Sequence, residues 1–306
     1  MTYPTFPTTP IHLIETDEAG NTFHLKREDL LPFSFGGNKA RIGLEYMKDL
    51  HARGGTHLLA YGNARSNLCR VLSNLCAANG IPITILSPAD DDGQRREAFN
   101  EKLCRSFGAR ILPCLKTGVA DSVDMAMDMI RKEGGVPYYI YGDRTGQGNR
   151  ATPTAAYVPV YEEIRQQGDF DVIALACGTG MTQAGLLCGQ QLAGGSERII
   201  GLSIAREAAN AKAHIAAFAN AWLDGQTIDE SRIEVQDERR QTYGVFDEDV
   251  ADTIRHMMRT HGVPMDGTYT GKAYCALKKL AQKEGWQNRK VLFIHTGGTP
   301  LFFDTL

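Results

Sequence analysis

The chain has 306 residues, of which 42% are hydrophobic and 23% are charged, and its formal net charge is −3. A chain of this size and composition buries a large core and is expected to form two lobes. The small negative charge offers no basic stripe to nucleic acid, and the sequence contains neither an apolar run of about 18 residues nor a charged-then-apolar leader. We therefore expect a cytoplasmic protein without nucleic-acid or membrane partners.

Apolar strand-like runs alternate with amphipathic helical segments over nearly the whole chain. In chain order, strands are predicted at 57–61, 82–86, 109–112, 137–141, 171–176, 198–204 and 290–294. Helices are predicted near 39–52, 66–79, 93–107, 119–133, 152–167, 181–193, 206–222, 247–261 and 270–284. This alternation is typical of parallel sheets covered by helices, so the predicted fold class is α/β, with a mostly parallel sheet in each lobe.

The stretch 142–153, GDRTGQGNRATP, is the best candidate for a crossing between lobes because it concentrates glycine, charge and a proline. The smaller lobe, 41–149, would then hold the first four predicted strands. The larger lobe, which is expected to bind the cofactor, would combine 1–40 with 150–306. A ligand is expected in the cleft between the lobes, at the carboxyl ends of strands.

The heptapeptide FGGNKAR, residues 35–41, follows the strand-like run HLKREDL and places Lys39 where a glycine loop gives way to a helix. Partial burial beside a helix N-terminus lowers the pKa of an ammonium group and so makes its amine a nucleophile. Lysine is also the side chain that forms Schiff bases with carbonyl cofactors such as pyridoxal phosphate. A surface lysine in a helix cap is the alternative, and this motif alone leaves both open.

A second glycine segment, DVIALACGTGMTQAG at 171–185, is predicted to be a buried strand, a tight turn and a helix. Its backbone N–H groups and threonine hydroxyls are suited to a phosphate. The candidate phosphate-binding residues are Gly178, Thr179, Gly180, Met181 and Thr182. An ordinary helix entry is the alternative. Gln183 stands where a GxGxxG motif needs glycine, and no GK[ST] follows, so dinucleotide and Walker-type sites fit less well.

Six short motifs occur in a specific order along the chain. They are FGGNKAR at 35–41, NARSNLCR at 63–70, CGTGMTQAG at 177–185, TYGV at 242–245, GTYTGKA at 267–273 and HTGGTP at 295–300. The ordered set resembles the fold-type II, tryptophan synthase β-like, pyridoxal phosphate enzymes, and within them the D-cysteine desulfhydrase and 1-aminocyclopropane-1-carboxylate deaminase branch. The resemblance covers about residues 8–302. It implies pyridoxal 5′-phosphate as cofactor, a small amino acid as substrate and no metal, and we expect a homodimer.

By this resemblance Lys39 forms the Schiff base and moves the substrate's α or β proton. Asn67 is implied to bond the 3′-oxygen of the cofactor, and Ser66 to contact the substrate carboxylate or relay a proton. Helix amides from Ser66 to Leu68 would bind the rest of the carboxylate. Ser66 and Asn67 are also favoured N-cap residues, so a capping role stays open for both.

Four further residues bear on the reaction. Tyr243 and Tyr269 match family tyrosines that lie near the substrate, where either could donate a proton to the leaving group, although packing is the alternative. Thr296 matches the residue that meets the pyridine nitrogen. A hydroxyl cannot keep that nitrogen protonated as an aspartate would, and the weaker electron sink favours α,β-elimination over transamination. Thr270 replaces a glutamate of the deaminases, which disfavours opening of a cyclopropane ring.

Three of these positions depart from the family pattern. Where the family usually has QSNH, this chain has Arg65 in place of the first residue and Leu68 in place of the histidine. Arg65 could bind an anionic substrate side chain such as a sulfonate or carboxylate, or could point to solvent. Ile42 stands where relatives carry a second basic residue near the phosphate, so the phosphate relies more on loop 178–182. The leading interpretation is a lyase that releases a β substituent and ammonia. β-Replacement, racemisation or dehydration, and a catalytically silent binding protein of the same fold remain as alternatives.

Overall fold

A computed structural model describes residues 3–90, 93–204, 206–237 and 244–305. In chain order the strands are β1 (Ile11–Thr16), β2 (Thr22–Lys26), β3 (His57–Tyr61), β4 (Ile83–Pro88), β5 (Arg110–Cys114), β6 (Pro137–Tyr139), β7 (Val172–Cys177), β8 (Arg198–Ser203), β9 (Glu234–Asp237) and β10 (Lys290–Ile294). The α-helices are α1 (Asn38–Ala52), α2 (Asn67–Ala78), α3 (Phe99–Ser106), α4 (Val119–Lys132), α5 (Ala151–Ala155), α6 (Val158–Arg165), α7 (Met181–Ala193), α8 (Ala208–Leu223), α9 (Glu248–His261), α10 (Thr270–Lys283) and α11 (Thr299–Phe302). The predicted α/β class is confirmed.

The described residues divide into two compact units. Unit 1 contains Lys39–Pro153 together with Tyr3 and Pro4. Its sheet, as far as the chain is described, has the strand order β5-β4-β3-β6, and every pair is parallel. Strand β4 is buried along its whole length, which is typical of a parallel sheet whose two faces are covered.

Unit 2 contains Thr5–Asn38 and the residues from Thr154 onward. Within the described ranges its sheet has the order β1-β2-β10-β7-β8-β9, with β1 antiparallel to β2 and the other pairs parallel. Apolar side chains of the central strands pack with α9 and α10 in a continuous core. Strands β10, β7 and β8 are parallel neighbours, so the loops that follow them leave from the same edge of the sheet. Ligands of such sheets bind at that edge.

Several elements differ from the sequence-based expectation. Strands β1 and β9 were not predicted as strands, because each is partly polar and lies at an edge of the sheet. The helix predicted at 93–107 begins only at Phe99, after a turn in which Gly93 has a φ of +79°. The helix predicted at 152–167 is divided into α5 and α6, and Pro159 lies in the first turn of α6, where its missing N–H is tolerated. No helix in the described ranges has the length and apolarity needed to cross a bilayer.

Candidate active site

The loop before α1 is turned tightly by left-handed backbone. All four residues at 34–37 have positive φ values, between 49° and 96°. The Gly37 N–H donates to the carbonyl oxygen of Glu28 at 2.7 Å, and a Cβ at Gly37 would lie only 2.8 Å from the Thr296 carbonyl oxygen. Glycine is therefore required at this close approach. Lys39, the second residue of α1, is half-buried.

Asn38 connects three of the sequence motifs within unit 2. Its backbone N–H donates to the carbonyl oxygen of Thr296 at 3.0 Å. Its side-chain Nδ2 donates to Thr182 Oγ1 at 2.8 Å, and the residue is buried. The lysine loop, the phosphate-loop candidate and the HTGGTP segment therefore meet at one residue, and Lys39 follows it directly in the chain. Sequence reasoning did not single out Asn38, although its position beside Lys39 was a usable signal.

The loop between β7 and α7 has the features of an anion site. Gly180 has a φ of +92°, and a Cβ there would lie 2.7 Å from Ile215 Cγ1, so only glycine fits. Because Gly180 has no side chain to cap α7, the first N–H groups of this helix remain available to an anion. The Thr182 hydroxyl accepts from Asn38 and so keeps its own proton for a further acceptor. These residues fit a phosphate group.

A cation also adjoins this loop. Nη1 of Arg206 donates to the carbonyl oxygen of Gly178 at 2.5 Å. The Ser203 hydroxyl donates to the carbonyl oxygen of Arg206 at 2.6 Å and holds the segment at the end of β8. Ile42, where relatives were expected to supply a basic residue, is fully buried. Sequence reasoning assigned Arg206 no role in phosphate binding, although the position of Arg206 after β8, the strand next to β7, was a usable signal.

Tyr269 lies just before α10 and is held by a buried carboxylate. Oδ1 of Asp266 accepts the N–H groups of Thr268 and Tyr269 at 2.8 and 2.7 Å. Burial raises the pKa of the Asp266 carboxyl, against the opposing effect of these hydrogen bonds. A Cβ at Gly178 would lie 3.9 Å from Cε1 of Tyr269, so the tyrosine ring adjoins the phosphate-loop candidate. Tyr243, the other predicted tyrosine, lies outside the described residues.

The hydroxyl of Thr270 is used within its own turn. Oγ1 donates to Asp266 Oδ2 at 2.8 Å and accepts the Asp266 N–H at 3.0 Å, and Thr270 is fully buried. The HTGGTP segment packs against the same carboxylate, since a Cβ at Gly298 would collide with Asp266 Oδ2. Thr296 is buried in this segment. Asp266 was missed by the sequence reasoning, although an aspartate shortly before a helix is a capping signal.

His295 precedes Thr296 and is fully buried. Its Nε2 lies 2.9 Å from the carbonyl oxygen of Pro264, and its Nδ1 lies 3.6 Å from Asp29 Oδ1. The Arg27 guanidinium pairs with the same Asp29 carboxylate at 2.7 Å. Burial by itself would raise the pKa of Asp29, but the electrostatic effect of the neighbouring His295 ring and the hydrogen bonds and charge of the Arg27 guanidinium hold it below its usual value. This cluster anchors the start of the HTGGTP segment to the chain just before the lysine loop.

In unit 1 the start of α2 carries the other predicted site residues. Ser66 is the N-cap, and its Oγ accepts the Cys69 N–H at 3.1 Å. Asn67 is the first residue of the helix, and its Oδ1 accepts a hydrogen bond from Asn100 Nδ2 at 2.9 Å. Leu68 is buried. The capping role that sequence left open is present for Ser66, while its role toward a substrate stays a prediction.

Arg65 forms an ion pair within unit 1. Its Nη1 lies 3.1 Å from Asp90 Oδ2, and only 13% of its side chain is exposed. Asn63 and Arg96 also donate to the Asp90 carboxylate, at 3.3 and 3.2 Å. Arg65 is therefore paired rather than extended into solvent, and binding of an anionic substrate group by Arg65 stays a prediction.

Comparison with known proteins gives consistent matches over nearly the full chain. The model of the family described as "Pyridoxal-phosphate dependent enzyme" matches residues 3–297. A 1-aminocyclopropane-1-carboxylate deaminase of Allorhizobium ampelinum is 30% identical, covering 97% of this chain and 94% of the relative. A D-cysteine desulfhydrase of Klebsiella pneumoniae is 28% identical, covering 94% and 90%. The crystal structure of an ACC deaminase homologue matches with a TM-score of 0.83 and 27% identity, covering 97% and 94%.

Proposed function

Because this chain belongs to the pyridoxal-phosphate dependent enzymes, we propose that it catalyses α,β-elimination on a small β-substituted amino acid and releases a 2-oxoacid and ammonia. The predicted fold type, cofactor and lyase class are confirmed by the family match and the named relatives. The observation that carries the proposal is the pair of hydrogen bonds from Asn38 to Thr296 and Thr182. They bring the lysine loop, the phosphate loop and the HTGGTP segment together.

Bound pyridoxal phosphate supplies an electron sink for the substrate's α-carbon. The proposed holding groups are the 178–182 loop for the phosphate, Asn67 for the 3′-oxygen and Lys39 for the aldehyde carbon. With the cofactor bound, the free amine of Lys39 would take the α proton of the substrate while the β substituent leaves with its bonding electrons. Tyr269 is proposed to donate a proton to that leaving group. The enamine product then hydrolyses to the 2-oxoacid and ammonia.

The substrate carboxylate is proposed to bind at the start of α2. The N–H groups of Asn67 and Leu68 lie in the first turn of this helix, whose positive end favours an anion, whereas the Ser66 N–H already donates to the carbonyl oxygen of Asn63 at 3.0 Å. Arg65 would add a positive charge close by, for a substrate with an anionic side chain. Since Asp90 already neutralises that guanidinium, an anionic side chain has to compete with Asp90.

The same relatives favour a second candidate function, which is ring opening of 1-aminocyclopropane-1-carboxylate. The surroundings of Thr270 oppose this alternative. The deaminase pattern has a glutamate there, whereas the Thr270 hydroxyl is buried and occupied by Asp266. Threonine supplies no carboxylate of its own at this position, and the Asp266 carboxylate in the same turn is occupied by hydrogen bonds from residues 268–270, so we favour a substrate with a separate β leaving group.

A substrate panel distinguishes these reactions. D- and L-amino acids with β-chloro, thiol, hydroxyl and sulfonate groups, together with 1-aminocyclopropane-1-carboxylate, are incubated with the holoenzyme, and the 2-oxoacid is measured. Elimination predicts oxoacid from at least one β-substituted acid, and unchanged yield when an external thiol is added. A thioether product in place of oxoacid would indicate β-replacement, and enantiomer exchange alone would indicate a racemase. A cofactor absorbance band with no product from any compound would indicate a silent binding protein and overturn the proposal.

Location and assembly complete the proposal. We infer a cytoplasmic homodimer that acts on a free amino acid and has no nucleic-acid partner, which the net charge of −3 supports. Light scattering of the purified holoenzyme tests the dimer, since a mass near 33.6 kDa would be that of a single chain.

A further inference from the structure

Asn100 on α3 is a fully buried amide that contacts the first turn of α2. Its Nδ2 donates to the backbone carbonyl oxygen of Arg65 at 3.0 Å and to Asn67 Oδ1 at 2.9 Å. Its own Oδ1 is buried and has no hydrogen-bond partner in the described part of the chain. Such an unpaired oxygen destabilises the fold. If packing were the only role of Asn100, an apolar side chain at this position would make the fold more stable.

The partners of Asn100 determine which way both amides face. A backbone carbonyl only accepts, so the Asn100 atom that faces Arg65 must be the NH2 group. The same NH2 group faces Asn67, so the Asn67 atom there must be its oxygen. Arg70, whose guanidinium can only donate, lies 3.5 Å from the same oxygen of Asn67. The Asn67 oxygen is thereby engaged by two donors, and its NH2 group is the half of the amide left for an outside acceptor.

We propose that Asn100 is a positioning residue that fixes the Asn67 amide so that its NH2 group, and not its oxygen, meets the 3′-oxygen of pyridoxal phosphate. The proposal rests on the proposed function, in which Asn67 faces that oxygen. The 3′-oxygen carries negative charge when ionised and therefore requires a donor. If the Asn67 amide were reversed, its oxygen would face the 3′-oxygen of the cofactor, and neither atom could donate a hydrogen bond to the other. Without Asn100, the longer contact with Arg70 is the one hydrogen bond to the Asn67 oxygen that remains among the described residues to oppose that reversal.

The test compares cofactor binding with and without the 3-hydroxyl group. Cofactor-free protein is titrated with pyridoxal phosphate and with 3-deoxypyridoxal phosphate, and the dissociation constants are measured for wild type, Asn100→Leu, Asn100→Asp and Asn67→Ala. We expect Asn100→Leu to bind pyridoxal phosphate roughly tenfold more weakly. Asn100→Asp should lose more, because its carboxylate draws the Asn67 NH2 group toward itself. Both should bind the 3-deoxy compound like wild type, since no acceptor is present there.

Two controls separate positioning from general damage. Asn79→Ala removes an amide at the other end of α2, where Nδ2 donates to the Leu75 carbonyl oxygen at 2.8 Å, and should leave both affinities unchanged. The double variant Asn67→Ala/Asn100→Leu should bind pyridoxal phosphate no more weakly than Asn67→Ala, because Asn100 acts only through Asn67.

The outcomes distinguish this proposal from the one on which it rests. If Asn67→Ala weakens binding of pyridoxal phosphate but neither Asn100 variant does, Asn100 has no positioning role and the proposed function stands. Equal weakening toward both compounds in the Asn100 variants would show a packing defect and overturn the proposal. If Asn67→Ala binds both compounds like wild type, the placement of Asn67 at the 3′-oxygen is itself wrong.

Discussion

Replacement of Thr182 by valine should weaken cofactor binding, because valine keeps the shape of the side chain but has no hydroxyl. In the proposed site that hydroxyl accepts from Asn38 and donates to the phosphate. A hydrogen bond to a charged group contributes about 1.5–3 kcal/mol. Since 1.4 kcal/mol corresponds to a factor of ten, the dissociation constant of pyridoxal phosphate should rise roughly 10- to 150-fold.

The same substitution has a second effect that does not need the cofactor. Asn38 is only 6% exposed, and its Nδ2 would lose its acceptor in the valine variant. A buried donor left without a partner costs about 1–3 kcal/mol, so the cofactor-free protein should unfold at a lower urea concentration. Adding Asn38→Ala to the valine variant removes the unpaired donor and should recover part of that loss. Thr182→Ser keeps the hydroxyl and is the matched control for both effects.

Two measurements test this prediction. Titration of cofactor-free protein with pyridoxal phosphate, followed by tryptophan fluorescence, gives the dissociation constant, and urea unfolding gives the stability. Unchanged cofactor affinity in the valine variant would refute the assignment of the phosphate to the 178–182 loop. Reduced affinity with unchanged unfolding would leave the phosphate contact standing but refute the role of the Asn38 hydrogen bond in stability.

Three further predictions concern other parts of the site. Lys39→Ala should lose all turnover and the borohydride-reducible link to the cofactor. Lys48→Ala, at an exposed position of the same helix, should keep both. A reducible link in Lys39→Ala would disprove the assignment of Lys39 as the Schiff-base lysine. Thr296→Asp should divert turnover from elimination toward racemisation or transamination, whereas Thr296→Val should lose only about 1 kcal/mol of hydrogen bonding. Identical product ratios in wild type and in both variants would place Thr296 away from the pyridine ring. Asp29, whose pKa is held below its usual value, contributes stability that is present above pH 3.8 and lost as the pH falls through the lowered pKa of the folded state. Asp29→Asn should therefore be less stable than wild type in urea at pH 7, by an amount that shrinks below about pH 3.8, and a constant difference would contradict the lowered pKa.

The sequence by itself determined the elements that local pattern encodes. Buried parallel strands such as β4 and β7 are mostly apolar runs, and helices such as α4 and α9 bury residues at spacings of three and four, so their type and approximate bounds could be predicted. Glycines at 37 and 180 signalled a left-handed backbone that other residues rarely adopt, and the order of the six motifs identified the family and its cofactor. Short polar edge strands such as β9 lack this pattern and were missed.

Only the tertiary structure decided which side chains meet. Asn38 and Thr182 are 144 residues apart, and nothing in either local pattern sets the register that brings their side chains within 2.8 Å. The same holds for Asn67 and Asn100, which lie on different helices and fix each other's amide orientation. Hydrogen bonds between distant residues depend on strand order, helix packing and rotamer together. Local periodicity specifies where an element lies in the chain, but the partners of its polar side chains are determined by the packed fold.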